Sequence, residues 1–379
     1  MQADRESCEL LLAVARSTDA EQIHRLAANV DDWDSLLELA EEHRVLTMLF
    51  LRLADMGPAI PQFVWNRAQT EYETNMFNSL ANAVELIAVI KALEDKMIPA
   101  IPFKGVVLGA SIYHDLTTRP AGDLDLLIHY RDLVRATTVV LERGYELETP
   151  VNADGTPAQL GYYEYHFERK TDGRVLELRW RLELTVPRFK RDLGMDWVWP
   201  RRRTTMLAGA EVPGMSPEIT LLMLCMHGSK HMWSRLIWIC DVAQLLTSFP
   251  GLDWKEVTSD AQEAGLCRTL ALGILLAYRV AAAPVPQTIL RRCEGDTTAR
   301  FLAQHIQENL FDAPGSTPPG PIPYSIQLLD FRDRVGFFLS TSLLRPNERD
   351  RAAFPLPKSL HALYYLIRPI RVFLDRSAR

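Results

Sequence analysis

Apolar positions recur every three to four residues through most of the first 96, which predicts one helix after another, over residues 6–15, 33–54 and 63–96. In the second, Leu36, Leu37, Leu39, Ala40, Val45, Met48 and Leu49 make the buried stripe, Asp34 or Ser35 caps the start, and Gly57-Pro58 ends it. The third carries Val84, Leu86, Ile87, Val89, Ile90 and Leu93 and runs into a short apolar stretch, so it is expected to pack on a sheet. His24 and His43 fall on charged helical segments and read as surface or capping histidines.

The period then shortens. Residues 97–103 (MIPAIPF) predict a strand, 106–114 a helix and 124–128 (LDLLI) a second strand, followed by a helix over 130–143 that ends at Gly144 and a strand starting at 145–147. Residues 149–161, with Pro150, Asn152, Asp154-Gly155 and Pro157, read as a loop lining a site. Residues 163–170 and 174–184 flank Thr171-Asp172-Gly173 and predict a hairpin. Its second strand, RVLELRWRLEL, sends Leu176, Leu178, Trp180, Leu182 and Leu184 one way and Val175, Glu177, Arg179, Arg181 and Glu183 the other.

Residues 185–217 read as irregular connection. Ser216 and Pro217 then cap and open a helix that runs to about 246 in one or two pieces. Further helices are predicted over 253–280 and 288–310, a Pro/Gly-rich linker over 313–323, and a helical tail whose amphipathic, basic end (360–379) is expected to dock on the helical lobe. The pattern is that of an α/β fold, mostly helical. A small mixed sheet of about five strands in residues 81–210 lies between an N-terminal helical segment (1–80) and a C-terminal helical lobe (211–379), with a site in the cleft between sheet and lobe.

Composition narrows the choice of partners. The chain has 379 residues, 47% of them hydrophobic, enough for a large core in two or three lobes. Its net charge of −6 argues against sequence-independent binding of bulk nucleic acid. Cys8, Cys225, Cys240, Cys267 and Cys293 form no C-x-x-C pair, so neither a disulfide framework nor a zinc cluster is expected, and a reducing cytoplasm is the simplest setting. The N-terminus does not read as a signal peptide, and no uninterrupted apolar run reaches the roughly 18 residues expected of a membrane span.

The chemistry gathers at Asp123 and Asp125 in GDLDLLI. On a strand they share a face about 6–7 Å apart at Cα, close enough for both to converge on a hard cation such as Mg²⁺. Upstream, Lys104-Gly105 lies between the strand and the helix, where glycine allows close backbone approach to an anion and Lys104 adds positive charge.

The order strand, glycine turn, helix, Asp-x-Asp strand, with KG and RPAGDLDLLI, resembles the bacterial family of uncharacterised nucleotidyltransferases in the DNA polymerase beta-like nucleotidyltransferase superfamily. The superfamily usually carries Gly-Gly or Gly-Ser at the turn. This chain has Lys104-Gly105-Val106 instead, which passes the hydroxyl's work to Lys104 or to backbone amides. The resemblance implies transfer of a nucleoside monophosphate from an NTP, ATP by default, with pyrophosphate leaving. Asp123 and Asp125 would hold two Mg²⁺ ions, Glu177 would supply the third carboxylate and help deprotonate the acceptor, and Lys104, Gly105 and Arg119 would meet the triphosphate. The acidic chain suits a small-molecule, peptide or protein acceptor. A catalytically inactive nucleotide-binding or partner-binding module is the alternative, and an AMP-adding toxin or regulator differs only in acceptor.

Other polar residues carry two readings each. Glu177 and its arginine neighbours could instead form a solvated strand face, and His166 on the paired strand either approaches the same site or lies on the surface. Arg201-Arg202-Arg203 would meet an acidic substrate or face solvent. His227 and His231, one helical turn apart, have a zinc-binding spacing, but the intervening Gly-Ser-Lys lacks the glutamate of an H-E-x-x-H hydrolase. In the resembled family a helix with this H-G-x-K-H and R-L-x-W-x-x-D pattern follows the core. Either Arg235 pairs with Asp241 to fix the lobe, or Lys230 and Arg235 reach nucleotide phosphate.

Overall fold

A computed structural model describes residues 5–17, 19–54, 60–158, 163–182, 192–312 and 324–329. The expected helix end at Gly57-Pro58, part of the 149–161 loop, Glu183 and Leu184, the 313–323 linker and the amphipathic 360–379 segment lie outside these residues.

The chain opens with α1 (Arg5–Ala15), α2 (Ala20–Ala27), α3 (Trp33–Glu42) and α4 (Leu46–Leu53). The single helix expected over 33–54 is thus two. It breaks because Arg44 takes a left-handed backbone (φ 56°), where its N–H bonds Glu41 O and the N–H of Val45 bonds Ala40 O, a Schellman closure made without glycine. The cap of α3 is Asp32, whose carboxylate accepts from the N–H of Ser35, not Asp34 or Ser35. α5 (Gln62–Asp95) is long and apolar enough to cross a membrane by length and composition alone. In the fold Ala83, Leu86, Val89, Ile90 and Leu93 lie in the core beneath the sheet.

The sheet runs β1 (Ala100–Phe103), β2 (Leu124–Ile128), β3 (Glu146–Leu147), β4 (Glu164–Arg169) and β5 (Arg174–Arg179), in spatial order β1-β2-β5-β4-β3. β1–β2, β5–β4 and β4–β3 are antiparallel and β2–β5 is parallel, so the five-stranded sheet is mixed, as expected. Between β1 and β2 the expected helix is one short α turn, α6 (Gly105–Leu108), running into a π turn over Gly109–Tyr113. A parallel β2–β5 pair requires a crossover, supplied by α7 (Leu133–Glu142) and β3–β4.

Residues 185–217, expected to be irregular, contain after position 191 the short α8 (Met195–Val198) and a hairpin, β6 (Arg203–Leu207) and β7 (Ala210–Gly214), that turns at Ala208-Gly209 with both φ positive. The helices α9 (Pro217–Lys230), α10 (Leu236–Ser248), α11 (Trp254–Ala264), α12 (Cys267–Ala281), α13 (Gln287–Gly295), α14 (Thr297–Glu308) and α15 (Tyr324–Gln327) complete the lobe. Ser216 caps α9 as expected, accepting from the N–H of Ile219.

Two apolar cores result. Leu124, Leu126, Ile128, Tyr165, Phe167, Leu176 and Leu178 pack one face of the sheet on α5 and α7. The opposite face, through Ile101, Phe103 and Leu127, joins a core that α1–α4 share with α9–α14. The helices before and after the sheet therefore close over one face of it, the face that also carries Asp125.

Candidate active site

Strand register assembles the carboxylates. Asp125 of β2 lies opposite Glu177 of β5 in the parallel pair and opposite Phe103 of β1, and directly paired positions share a face. Asp123, two residues earlier and exposed, falls on the same side. One carboxylate oxygen each of Asp123, Asp125 and Glu177 lie within 4.8 Å of one another, a set of hard oxygen donors that could hold a metal ion.

Two cations brace this group. Arg179, two positions after Glu177 and on the same face, is only 3% exposed. Its Nε lies 3.1 Å from Asp125 Oδ1 and 3.0 Å from Glu177 Oε2, Nη2 also meets Glu177, and Nη1 lies 2.9 Å from Glu164 Oε2. Lys104, expected to meet the triphosphate, is buried with Nζ 3.4 Å from Asp125 Oδ1. Burial, and next the neighbouring Asp125 charge, push Glu177 up to about 7 despite the opposing pull of Arg179. His166 is opposite Glu177 on β4, and its Nδ1 lies 3.8 Å from Glu177 Oε1.

The Lys104-Gly105 turn presses against the same strand. Gly105 has φ +42°, and a Cβ there would stand 3.0 Å from the carbonyl oxygen of Asp123. Lys104 itself holds φ 59°, costly for a residue with a side chain. Because α6 is a single turn, little of a helix dipole is available at Gly105.

The loop that delivers Asp123 is fixed from both sides. Asn75 and Asn82 of α5 donate side-chain N–H groups to the carbonyls of Thr117 and of Ala121 and Gly122. From the other side Arg119, expected to meet triphosphate, has its guanidinium on Asp241. Nε donates to Oδ1 at 2.8 Å and Nη2 to Oδ2 at 3.0 Å, and Nη1 donates to Pro120 O. Tyr113 donates its hydroxyl to the same carboxylate. Asp241 thus pairs with Arg119 rather than with Arg235, because the α10 carboxylate faces the loop and not its own helix start.

Lys230 donates to the Tyr163 hydroxyl at 3.1 Å and, like Arg179, stands about 6 Å from the Tyr163 ring centre, at 5.7 and 5.9 Å. His227 and His231 lie edge to face, 4.8 Å apart, and both contact Trp238. Among the described residues they join no carboxylate or thiol in a metal-binding group. Arg201 of the arginine triplet is held by Glu256 and Asp260, and Arg202 lies over Trp199. The sequence reading missed the bracing role of Arg179 and Glu164, although the alternation that found Glu177 places Arg179 on its face.

Residues 29–282, a span that holds every one of these side chains, match the family described as uncharacterised nucleotidyltransferase. The chain belongs to that family and is a nucleotidyltransferase with a mostly helical α/β fold. No curated protein matches the sequence. Among solved structures it is similar to the antibiotic-resistance factor ANT(2'')-Ia, at 12% identity over 60% of this chain and 96% of that one, with a TM-score of 0.30.

Proposed function

We propose that the enzyme transfers a nucleoside monophosphate from an NTP to a small-molecule, peptide or protein acceptor and releases pyrophosphate, using two Mg²⁺ ions held by Asp123, Asp125 and Glu177. The convergence of these three carboxylates within 4.8 Å supports this reading most directly. Magnesium bound there would neutralise triphosphate charge and favour ionisation of the acceptor oxygen.

The protein's own groups do the positioning. Arg179 fixes Asp125 and Glu177 at a distance set by strand register, and Gly105 lets the Lys104 turn seat against Asp123. Glu177, raised to about 7 by burial and the Asp125 charge in the bare site, would be held ionised by the bound cation as the third carboxylate and would help deprotonate the acceptor. Lys104 supplies positive charge against Asp125, and Lys230 is held on Tyr163, whose ring also lies beside Arg179.

The test is release of labelled pyrophosphate from each γ-labelled NTP in the presence of fractionated small-molecule, peptide and protein extracts. Magnesium-dependent release that Asp125→Asn abolishes supports the reading. Nucleotide bound by the wild type with no release in any fraction would assign the chain to an inactive nucleotide-binding module.

A further inference from the structure

Arg44 and Arg235 lie in different halves of the helical core, yet the fold sets them side by side. The His43 ring accepts the N–H of Leu236 at Nδ1 (3.0 Å), and the His43 carbonyl accepts the N–H of Ile237 (3.3 Å). The residue after His43 is therefore held next to the residue before Leu236. Neither guanidinium has a carboxylate partner among the described residues, whereas Arg119, Arg179 and Arg201 each do.

Arg44 lines a cavity of about 200 Å³ whose opposite wall includes Pro120, Ala121 and Gly122, the residues that lead into Asp123. Thr47, Thr74, Asn75 and Asn78 make the wall polar, Glu41 is tied to Arg67, and Glu71 is open to solvent. Arg44 keeps an exposed edge in this wall, and its pKa is held below the ordinary value by partial burial and then by the like charges of Arg235 and Arg119, with Asp123 acting as the opposite charge it feels.

The backbone points the same way. Arg44 occupies the left-handed position of the Schellman closure, where glycine is usual and a side chain costs about 1 kcal/mol. Arg44 at the cavity wall and Arg235 beside it, whose guanidinium lies over the Trp238 ring at 5.5 Å, leave two adjacent cations without a carboxylate partner among the described residues, which suits an oligoanion that bridges both.

We propose that Arg44 and Arg235 form a phosphate-receiving pair that takes the oligophosphate tail of the donor nucleotide beside Asp123. This inference rests on the nucleotidyl-transfer reading. His43 is its positioning residue, since it joins the two chain segments.

The test uses the full chain with Mg²⁺ and measures binding of inorganic tripolyphosphate, ATP and AMP by calorimetry. The variants are Arg44→Gly, Arg235→Gln and their combination, with Arg25→Gln, paired with Glu21 on α2, as control. Arg44→Gly suits its backbone position, so it should fold at least as well as the wild type. We expect a loss of about tenfold or more for tripolyphosphate and ATP with each variant, a larger loss with both, and little change for AMP or in the control.

Wild-type affinity for tripolyphosphate in the double variant, or no tripolyphosphate binding by the wild type, overturns the proposal. Loss of tripolyphosphate with ATP unchanged also overturns it, because the pair would then serve a phosphorylated acceptor. The transferase reading is judged separately, by magnesium-dependent pyrophosphate release and its dependence on Asp125.

Discussion

Arg119 and Asp241, 122 positions apart, meet in a two-pronged ion pair buried between the loop that ends at Asp123 and the first turns of α10. Replacing Asp241 by Ala leaves a guanidinium buried without its partner, which destabilises by about 3–5 kcal/mol. Urea unfolding should show that loss. The double replacement Arg119→Met/Asp241→Leu should recover much of it, since removing both charges also removes both desolvation penalties. A double variant as unstable as the sum of the singles would contradict this reading of the pair.

Gly105→Ala should disturb the site with less effect on the fold. The added Cβ meets the Asp123 carbonyl at 3.0 Å in a backbone with φ +42°, so either the turn or the strand must shift. A stability loss of about 1–2 kcal/mol is expected, together with a clear drop in magnesium-dependent nucleotide binding. Unchanged binding would show that the turn does not set the Asp123 position.

His43 gives the fold a pH signature. Burial, and next the Arg235 charge, hold it down to about 4, and its ring accepts an N–H that only the neutral form can receive. Between pH 6.5 and 4 the unfolded chain binds the extra proton and the folded chain does not. Stability from this group is therefore complete above pH 6.5 and is lost as pH falls towards 4, by up to about 3 kcal/mol. Denaturant midpoints measured across that range should fall for the wild type and be flatter for His43→Gln.

Arg179→Met tests the bracing cation. Arg179 is the group that opposes burial and Asp125 in setting the Glu177 pKa. Its removal should raise that value further, so the pH at which Mg²⁺ binding reaches half its maximum moves upward. A pH profile of magnesium binding that does not shift would separate Arg179 from the site.

Much of the site was legible because strand alternation is local. Asp123 and Asp125 share a face by period two, and the hairpin around Asp172-Gly173 brings Glu177 into a strand that needs only the right neighbour. What stayed hidden was long-range or unsignalled. The partner of Arg119 is an α10 side chain, and no periodicity reports a pairing across 122 positions. The break at Arg44 carries no glycine, so the apolar stripe of 33–54 runs through it unmarked. The β6–β7 hairpin was missed because Arg203, Thr204 and Met206 are exposed, which leaves little apolar alternation to read. That α1–α4 complete the core of the C-terminal helices is likewise a matter of which amphipathic faces meet, and sequence gives each face but not its mate.

Asp123 and Asp125 are proposed to form a magnesium-dependent nucleotide site. This is tested most directly by calorimetry of each of the four NTPs, with and without Mg²⁺, on the wild type and on Asp123→Ala/Asp125→Ala. Binding of at least one NTP that requires Mg²⁺ and disappears in the variant is expected. Binding that persists in the variant, or that is indifferent to Mg²⁺, would contradict it.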